Sequence, residues 1–151
     1  MNIKIEVLEK LKDYEIIIRC NEINDEIREI NNAIINSISK YHKITFFKEN
    51  TEYYISLENI LFFETEENSI NAHTTKDIYK VKYKLYELED LLPGNFMRVS
   101  KSTILNTNKI YSITRSLSSA SKVEFLNTYK QVYVSRFYYK PLKIKLQEKR
   151  G

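Results

Sequence analysis

The stretch Phe96-Met97-Arg98-Val99-Ser100-Lys101-Ser102-Thr103-Ile104-Leu105-Asn106 decides how this sequence folds. It begins with an aromatic residue and an arginine, continues through a polar segment with serines and a lysine, and ends in a hydrophobic run closed by asparagine. Its start, Phe96–Val99, is a short strand-like run and predicts a β-strand. The stretch therefore belongs to a β-rich part of the chain.

Short strand-like runs surround this stretch on both sides, and polar turn residues separate them. They are Lys43–Phe47, Glu52–Ser56, Ile60–Glu64, Ile70–Thr74, Ile78–Lys82, Ile110–Thr114, Lys122–Phe125 and Gln131–Val134. Leucines 85, 88, 91 and 92 predict one helix that Pro93-Gly94 ends. The basic tail Lys140–Lys149 predicts another, with Pro141 in its first turn. The expected fold class is mostly β with flanking helices (α+β).

The N-terminal 40 residues have a different pattern. Ile3, Ile5 and Val7 alternate with charged residues, and a second β-type run covers 14–19, so two strands are expected. Isoleucines at three- and four-residue steps from Ile23 to Ile38 predict an amphipathic helix capped by Asn21. This β-β-α unit, residues 1–40, is too small for a core of its own and should pack on residues 41–151 or on a second copy.

Composition excludes several classes of protein. With only 2 glycines among 151 residues, a glycine-rich phosphate loop is not expected, and neither is a nucleotide cofactor. The single cysteine, Cys20, excludes an intrachain disulfide and multi-cysteine metal sites, and it is expected to be a small buried hydrophobe. No apolar run approaches the roughly 20 residues of a membrane helix, so we expect no membrane insertion and a cytoplasmic location.

Charge is concentrated in the last third of the chain. The net charge is +4, but residues 1–40 and 41–96 are net acidic, whereas residues 97–151 hold 12 Lys/Arg against only Glu124 and Glu148. Such a basic segment is typical of a nucleic-acid surface, although solvated charge alone is the alternative.

The Phe96–Asn106 stretch resembles the signature of the LytTR family of bacterial DNA-binding domains. Two further landmarks follow the family's order, Ile60-Leu61-Phe62-Phe63-Glu64 upstream and Val132-Tyr133-Val134-Ser135-Arg136 downstream, and the resemblance covers roughly residues 44–147. It implies about ten strands, loops that enter successive major grooves of DNA, DNA bending, and regulation of transcription.

The resemblance also implies where DNA is contacted. By position, these places are the turn with Asn68 and Ser69, the polar pair Lys101 and Ser102, and the pair Ser135 and Arg136. Arg136 has the planar fork that suits bidentate recognition of guanine or phosphate. Arg98 is a further candidate, with local pairing to a carboxylate as its alternative. Additional candidates for bracing or phosphate contact follow Arg136, namely Tyr138, Lys140 and Lys143, although core packing is the alternative for the tyrosine.

Other functions are less consistent with the sequence. The two histidines, His42 and His73, are not accompanied by a nucleophile or a ligand cluster, so an enzyme is not expected. The main alternative is a single-stranded RNA-binding or protein-interaction module, because 12 tyrosines and 7 phenylalanines accompany the basic tail.

The organisation differs from response regulators of this family, because about 40 residues cannot hold a phosphorylatable receiver domain. We expect residues 1–40 to mediate self-association or to bind a regulatory protein. The predicted mechanism is double-stranded DNA binding by two protomers on neighbouring repeats. The sequence does not identify the operator, the input signal, or whether the protein activates or represses.

Overall fold

The computed structural model describes residues 1–11, 15–41 and 44–150. Its contacts divide the chain into two compact units, Met1–Ile38 and Ser39–Gly151. The sequence-based division was at residue 40.

The first unit contains the predicted helix, α1 (Asp25–Tyr41). Asn24 caps it, because its side-chain Oδ1 accepts a hydrogen bond from the backbone N–H of Ile27 at 3.0 Å. The prediction of Asn21 as the cap was wrong by three residues.

The two strands predicted for the first unit are not present in this structure. Residues 3–7 and 15–19 have no strand assignment, and Tyr14 lies outside the described residues. A strand requires a hydrogen-bonded neighbour, and these segments have none among the described residues. An alternating pattern indicates an apolar face and a charged face, but it does not identify the strand that would pair with the segment.

The second unit holds ten strands within its described residues. They are β1 (Phe46–Lys48), β2 (Thr51–Tyr53), β3 (Phe62–Glu66), β4 (Ser69–His73), β5 (Ile78–Val81), β6 (Phe96–Arg98), β7 (Thr103–Asn106), β8 (Ile110–Thr114), β9 (Ser121–Phe125) and β10 (Gln131–Val134). Helix α2 (Leu85–Leu91) precedes β6, and α3 (Arg136–Arg150) follows β10. The predicted fold class is confirmed.

Two antiparallel sheets organise these strands. Seven strands follow the order β2-β1-β5-β4-β3-β7-β6, and the other three follow the order β10-β9-β8. Strand β3 is central to the larger sheet, with Phe63 paired to Ala72 of β4 on one side and to Ile104 of β7 on the other.

Successive residues of the motif strands enter two different hydrophobic clusters, because side chains alternate across a sheet. Phe63 and Ile104 join a cluster that includes Leu85 and Leu88 of α2. Phe62 and Leu105 join a second cluster, which includes strands of the smaller sheet and Leu142 of α3. Both faces of β3 and β7 are therefore buried, which fixes their register.

Two details near the motifs differ from the prediction. Strand β7 occupies the hydrophobic end of the Phe96–Asn106 stretch, for which no strand was predicted. Helix α3 begins at Arg136 rather than at Lys140, so Pro141 lies inside the helix rather than in its first turn. The Ser135 carbonyl accepts hydrogen bonds from the N–H groups of Tyr138 and Tyr139, and this closes the earlier first turn.

Candidate nucleic-acid interface

The connections between strands gather at two ends of the second unit. One end, here named the Lys101 end, comprises residues 66–69, 99–102, 115–120 and 135–136, as the strand registers require. The other, named the Asn106 end, comprises residues 57–60, 74–77, 93–95, 106–109 and 126–130. All three places implied by the family resemblance lie at the Lys101 end.

Backbone hydrogen bonds join these three places directly. The Thr65 N–H, next to the β3–β4 turn, donates to the Ser102 carbonyl at 2.8 Å, and the Ser135 N–H donates to the Val99 carbonyl at 2.9 Å. The loop that carries Lys101 is thus bonded on one side to the β3–β4 hairpin and on the other to the segment before Arg136. Such bonds fix the relative position of the three loops.

Arg98 holds the same loop from inside. Its Nε donates to the Ser100 carbonyl at 3.0 Å, its Nη2 donates to the Lys101 carbonyl, and its Nη1 pairs with Glu89 of α2. These three contacts engage the guanidinium locally, which is the alternative that the sequence left open for Arg98. In this structure Arg98 supports the loop.

Lys101 and Arg136 differ from Lys130 and Lys145, two lysines whose side chains reach the Asn106 end. Their side chains are exposed, and no hydrogen bond or ion pair within the described residues engages either of them. At the Asn106 end, Lys130 Nζ donates to the Asp77 carbonyl at 2.8 Å, and Lys145 Nζ donates to the Gly94 carbonyl. The cations at the Lys101 end are therefore available to an external anion.

The β3–β4 turn presents Asn68 and carries two carboxylates. Asn68 is exposed and Ser69 is partly exposed, and the Ser69 hydroxyl donates to the Glu66 carbonyl at 3.2 Å. The Glu66 carboxylate accepts a hydrogen bond from Asn71 Nδ2 at 2.6 Å. Burial, and secondarily the Glu66 charge, raises the pKa of Glu64. The Glu66 carboxylate is therefore directed towards Asn71 of β4, and Asn68 lies at the tip of the turn.

Helix α3 carries the remaining candidates at increasing distance from the Lys101 end. Tyr138 is half-buried and packs against the second hydrophobic cluster, whereas Phe137 beside it is 79% exposed. Lys140 is exposed about one turn along the helix. Lys143 lies about 10 Å along the helix axis from Arg136, since each residue adds about 1.5 Å, and it lines a groove with Ile110 and Tyr111. The structure brings Lys140 closer to the three loops than Lys143.

One cation of the Lys101 end, Arg115, was not among the residues predicted from the sequence. Thr114 pairs with Lys122, and Ser121 pairs with Val134, so the β8–β9 loop lies beside Ser135. Within this loop Arg115 is exposed, and its guanidinium stacks over the Tyr139 ring at 5.0 Å. Only the order of the smaller sheet shows that this loop reaches the same end, and no sequence motif indicates that order.

Asn106 performs a structural function, as expected for a turn-forming asparagine. It is 1% exposed, its Nδ2 donates to the Ile60 carbonyl at 3.0 Å, and its Oδ1 accepts from Asn95 Nδ2 at 2.8 Å and from the Asn108 N–H at 3.0 Å. These contacts connect three segments of the Asn106 end.

The other titratable candidates show no grouping for chemistry. His73 is buried and stacks on Phe62 at 4.3 Å, and burial lowers its pKa to about 4. His42 lies outside the described residues. Cys20 is exposed, contrary to the buried position expected for it. Within residues 1–11, 15–41 and 44–150, no group of three His, Cys, Asp or Glu side chains could hold a metal ion, and no helix is long and apolar enough to cross a membrane.

The fold of the second unit matches one known family, the LytTr DNA-binding domain. The family of that name matches residues 50–147. This range is more than half of the chain, and the protein belongs to that family. A solved LytTr DNA-binding domain from Bacillus cereus superposes with a TM-score of 0.62 at 24% identity, over 70% of this chain and 96% of that chain. This likeness confirms the fold.

Curated relatives carry names that agree with the family. A protein of Staphylococcus aureus strain NCTC 8325, named an HTH-type transcriptional regulator, is 30% identical over 129 residues, 85% of this chain and 86% of the relative. A protein of the same name from strain MRSA252 is 29% identical over the same length. Because few residues follow 147, an alignment of this length includes part of the N-terminal unit. Five strands separate α2 from α3 in this chain, so these two helices do not form a helix-turn-helix.

Proposed function

We propose that this protein is a sequence-specific regulator of transcription that binds double-stranded DNA through its Lys101 end. The observation that carries the proposal is the pair of backbone bonds from Thr65 to Ser102 and from Ser135 to Val99. They hold an exposed lysine and an exposed arginine on adjoining loops with no competing partner among the described residues.

Each loop would have a distinct task. Arg136 would donate two parallel hydrogen bonds to a guanine edge in the major groove, the commonest specific contact of arginine. Lys101 and Arg115 would neutralise phosphates, while Ser102 and Ser135 would donate to phosphate oxygens. Asn68 and Ser69 would contact the adjoining groove through neutral polar side chains, which are compatible with base edges. Arg98 and Tyr138 would position these groups from within the protein.

Binding to neighbouring repeats by two protomers is the second part of the proposal. One domain presents a single set of loops, which limits the number of bases that it can read. Two domains on adjacent sites would multiply specificity, since each well-placed contact adds discrimination roughly independently. The cytoplasmic location expected from the sequence agrees with a function on bacterial DNA.

A selection experiment tests the proposal. The full chain is used to select duplexes from a randomised pool, and the enriched sequence is assayed by mobility shift as duplex and as each single strand. We expect preferential binding of the duplex and a steep decrease in affinity with salt, because released counterions drive phosphate binding. Preference for a single strand would favour the alternative of an RNA-binding module.

Two lysine variants provide a matched control. Lys101→Ala removes a cation from the Lys101 end, and Lys109→Ala removes the same group from the Asn106 end. We expect the first to weaken binding and the second to leave it unchanged. Equal affinity of the two variants would contradict the proposed surface.

A further inference from the structure

We propose that residues 1–9 form an antiparallel strand pair with the same residues of a second copy, centred on Ile5. This interface does not depend on the proposed DNA function.

The N-terminal unit exposes apolar side chains that a stable protein normally covers. Ile3, Ile5 and Val7 are 88%, 88% and 87% exposed. Among the described side chains from residue 1 to residue 37, none is fully buried, and the described isoleucines of α1 are partly or largely exposed. Contiguous apolar surface of this kind marks an interaction site.

The same segment has an amphipathic pattern, as a strand at an interface would have. Lys4 Nζ and Glu6 Oε1 form an ion pair at 2.6 Å, which places these two side chains on one side of the segment. Side chains alternate along an extended chain, so Ile3, Ile5 and Val7 belong to the opposite side. The segment has a β-branched face and a charged face, yet no strand among the described residues pairs with it.

The charges on this segment are complementary to those of a second copy. In an antiparallel pair centred on Ile5, residue 3 lies opposite residue 7, and residue 4 lies opposite residue 6. Each Lys4 would then face Glu6 of the partner subunit, giving two opposite-charge pairs related by a two-fold axis. Opposite charges placed directly across an antiparallel pair are stabilising, and like charges are destabilising.

A second copy also explains how the pair would be covered. Two strands alone are only marginally stable in water. The partly exposed isoleucines of both α1 helices offer apolar surface within the same unit, and they would pack on the β-branched face. A two-fold interface that uses the same patch on both subunits is the commonest arrangement of soluble dimers.

Charge exchange between the two positions tests the register. Lys4→Glu places glutamate at both positions 4 and 6, and Glu6→Lys places lysine at both positions. Each variant alone would oppose like charges twice, so we expect its dimer dissociation constant to rise by about threefold to thirtyfold. A mixture of the two variants would restore both pairs, and mixed dimers should form in preference to either homodimer. The double variant should regain the affinity of the unmodified chain.

Sedimentation velocity of the full chain, with one variant fluorescently labelled, measures these outcomes. Lys10→Glu is the matched control, because residue 10 lies outside the proposed strand pair, and its dimer should be unaffected. Ile5→Asp should abolish dimers, since it places two carboxylates opposite each other at the centre. All variants should bind a DNA fragment with a single selected site as the unmodified protein does, which shows that the DNA-binding unit is folded.

Three results would overturn the proposal. They are a monomeric unmodified chain at its highest soluble concentration, no preference for the mixed dimer, and a loss in Lys10→Glu equal to that in Lys4→Glu. None of them bears on DNA binding at a single site, so failure here is distinguishable from failure of the proposed function.

Discussion

The Lys101 end and the Asn106 end of the second unit use their polar side chains in opposite ways. At the Asn106 end, the amide of Asn106 is buried and hydrogen-bonded, and the side chains of Lys130 and Lys145 donate to backbone carbonyls. At the Lys101 end, the loops are joined through their backbones, and the cationic side chains extend into solvent. The comparison shows that one stretch, Phe96–Asn106, contains residues with two different functions. Its last residue, Asn106, stabilises the fold, and Lys101 in its middle is available to a ligand.

The largest expected effect is on stability at the Asn106 end. Asn106→Ala would remove the hydrogen bonds that Asn106 makes to the buried Ile60 carbonyl and to the Asn95 amide. Because buried unsatisfied groups cost about 1–3 kcal/mol each with partial relief by water, we expect unfolding to become easier by about 2–4 kcal/mol. Urea denaturation measures this change, and the folded fraction should bind the selected duplex normally. Reduced affinity of the folded fraction would contradict the claim that the Asn106 end stabilises the fold without contributing to DNA binding.

The next effect is on recognition at the Lys101 end. Arg136→Ala should weaken binding to the selected duplex by about 1–3 kcal/mol and relax preference at the position that it reads, if it contacts a base. Titrations on selected and random duplexes measure the difference, and the urea midpoint should stay unchanged because the side chain is exposed. Equal losses on both duplexes would reassign Arg136 to a phosphate.

A third effect sharpens the comparison through pH. The buried His73 ring has a pKa of about 4, below its ordinary value, because burial disfavours the charged form. The unfolded chain therefore takes up a proton below about pH 6.5, and stability is lost between about pH 6.5 and 4. At pH 5 the loss from this residue should be about 1–2 kcal/mol.

His73→Phe isolates that contribution, since it keeps a ring stacked on Phe62 without a titratable group. The difference between the urea midpoints at pH 7 and pH 5 should be smaller in this variant than in the unmodified chain. A pH dependence that is identical in both proteins would show that His73 is not held neutral.

The smallest effect compares two lysines on α3. Lys140 is exposed one turn from Arg136, whereas Lys143 lies in the groove against β8. Lys140→Ala should weaken binding to all duplexes and reduce the salt slope by about 1. Lys143→Ala, which the sequence alone grouped with it, should have a smaller effect. A larger loss from Lys143→Ala would extend the interface along the helix.

The sequence allowed much of the second unit to be predicted. The short strand-like runs Ile60–Glu64 and Ile70–Thr74 predicted β3 and β4, and the first is a continuous apolar run because the side chains of β3 enter packed clusters on both faces. The family motifs also pointed to three loops that the structure joins by hydrogen bonds.

The parts that could not be predicted depend on contacts between distant residues. Strand β7 was not predicted because it follows a short polar loop. The position of Arg115 depends on the order β10-β9-β8 of the smaller sheet. The role of Arg98 depends on Glu89 of a separate helix. At the N-terminus, the pattern predicted strands that this structure does not contain, since a pattern specifies faces and not a partner.

The most direct test of the central claim is the change in backbone amide NMR shifts when the selected duplex is added. Shifts should change at residues 65–69, 99–102, 115–122 and 135–140, and remain unchanged at residues 57–60, 93–95 and 106–109. Shift changes concentrated at the Asn106 end, with the Lys101 end unaffected, would contradict the claim.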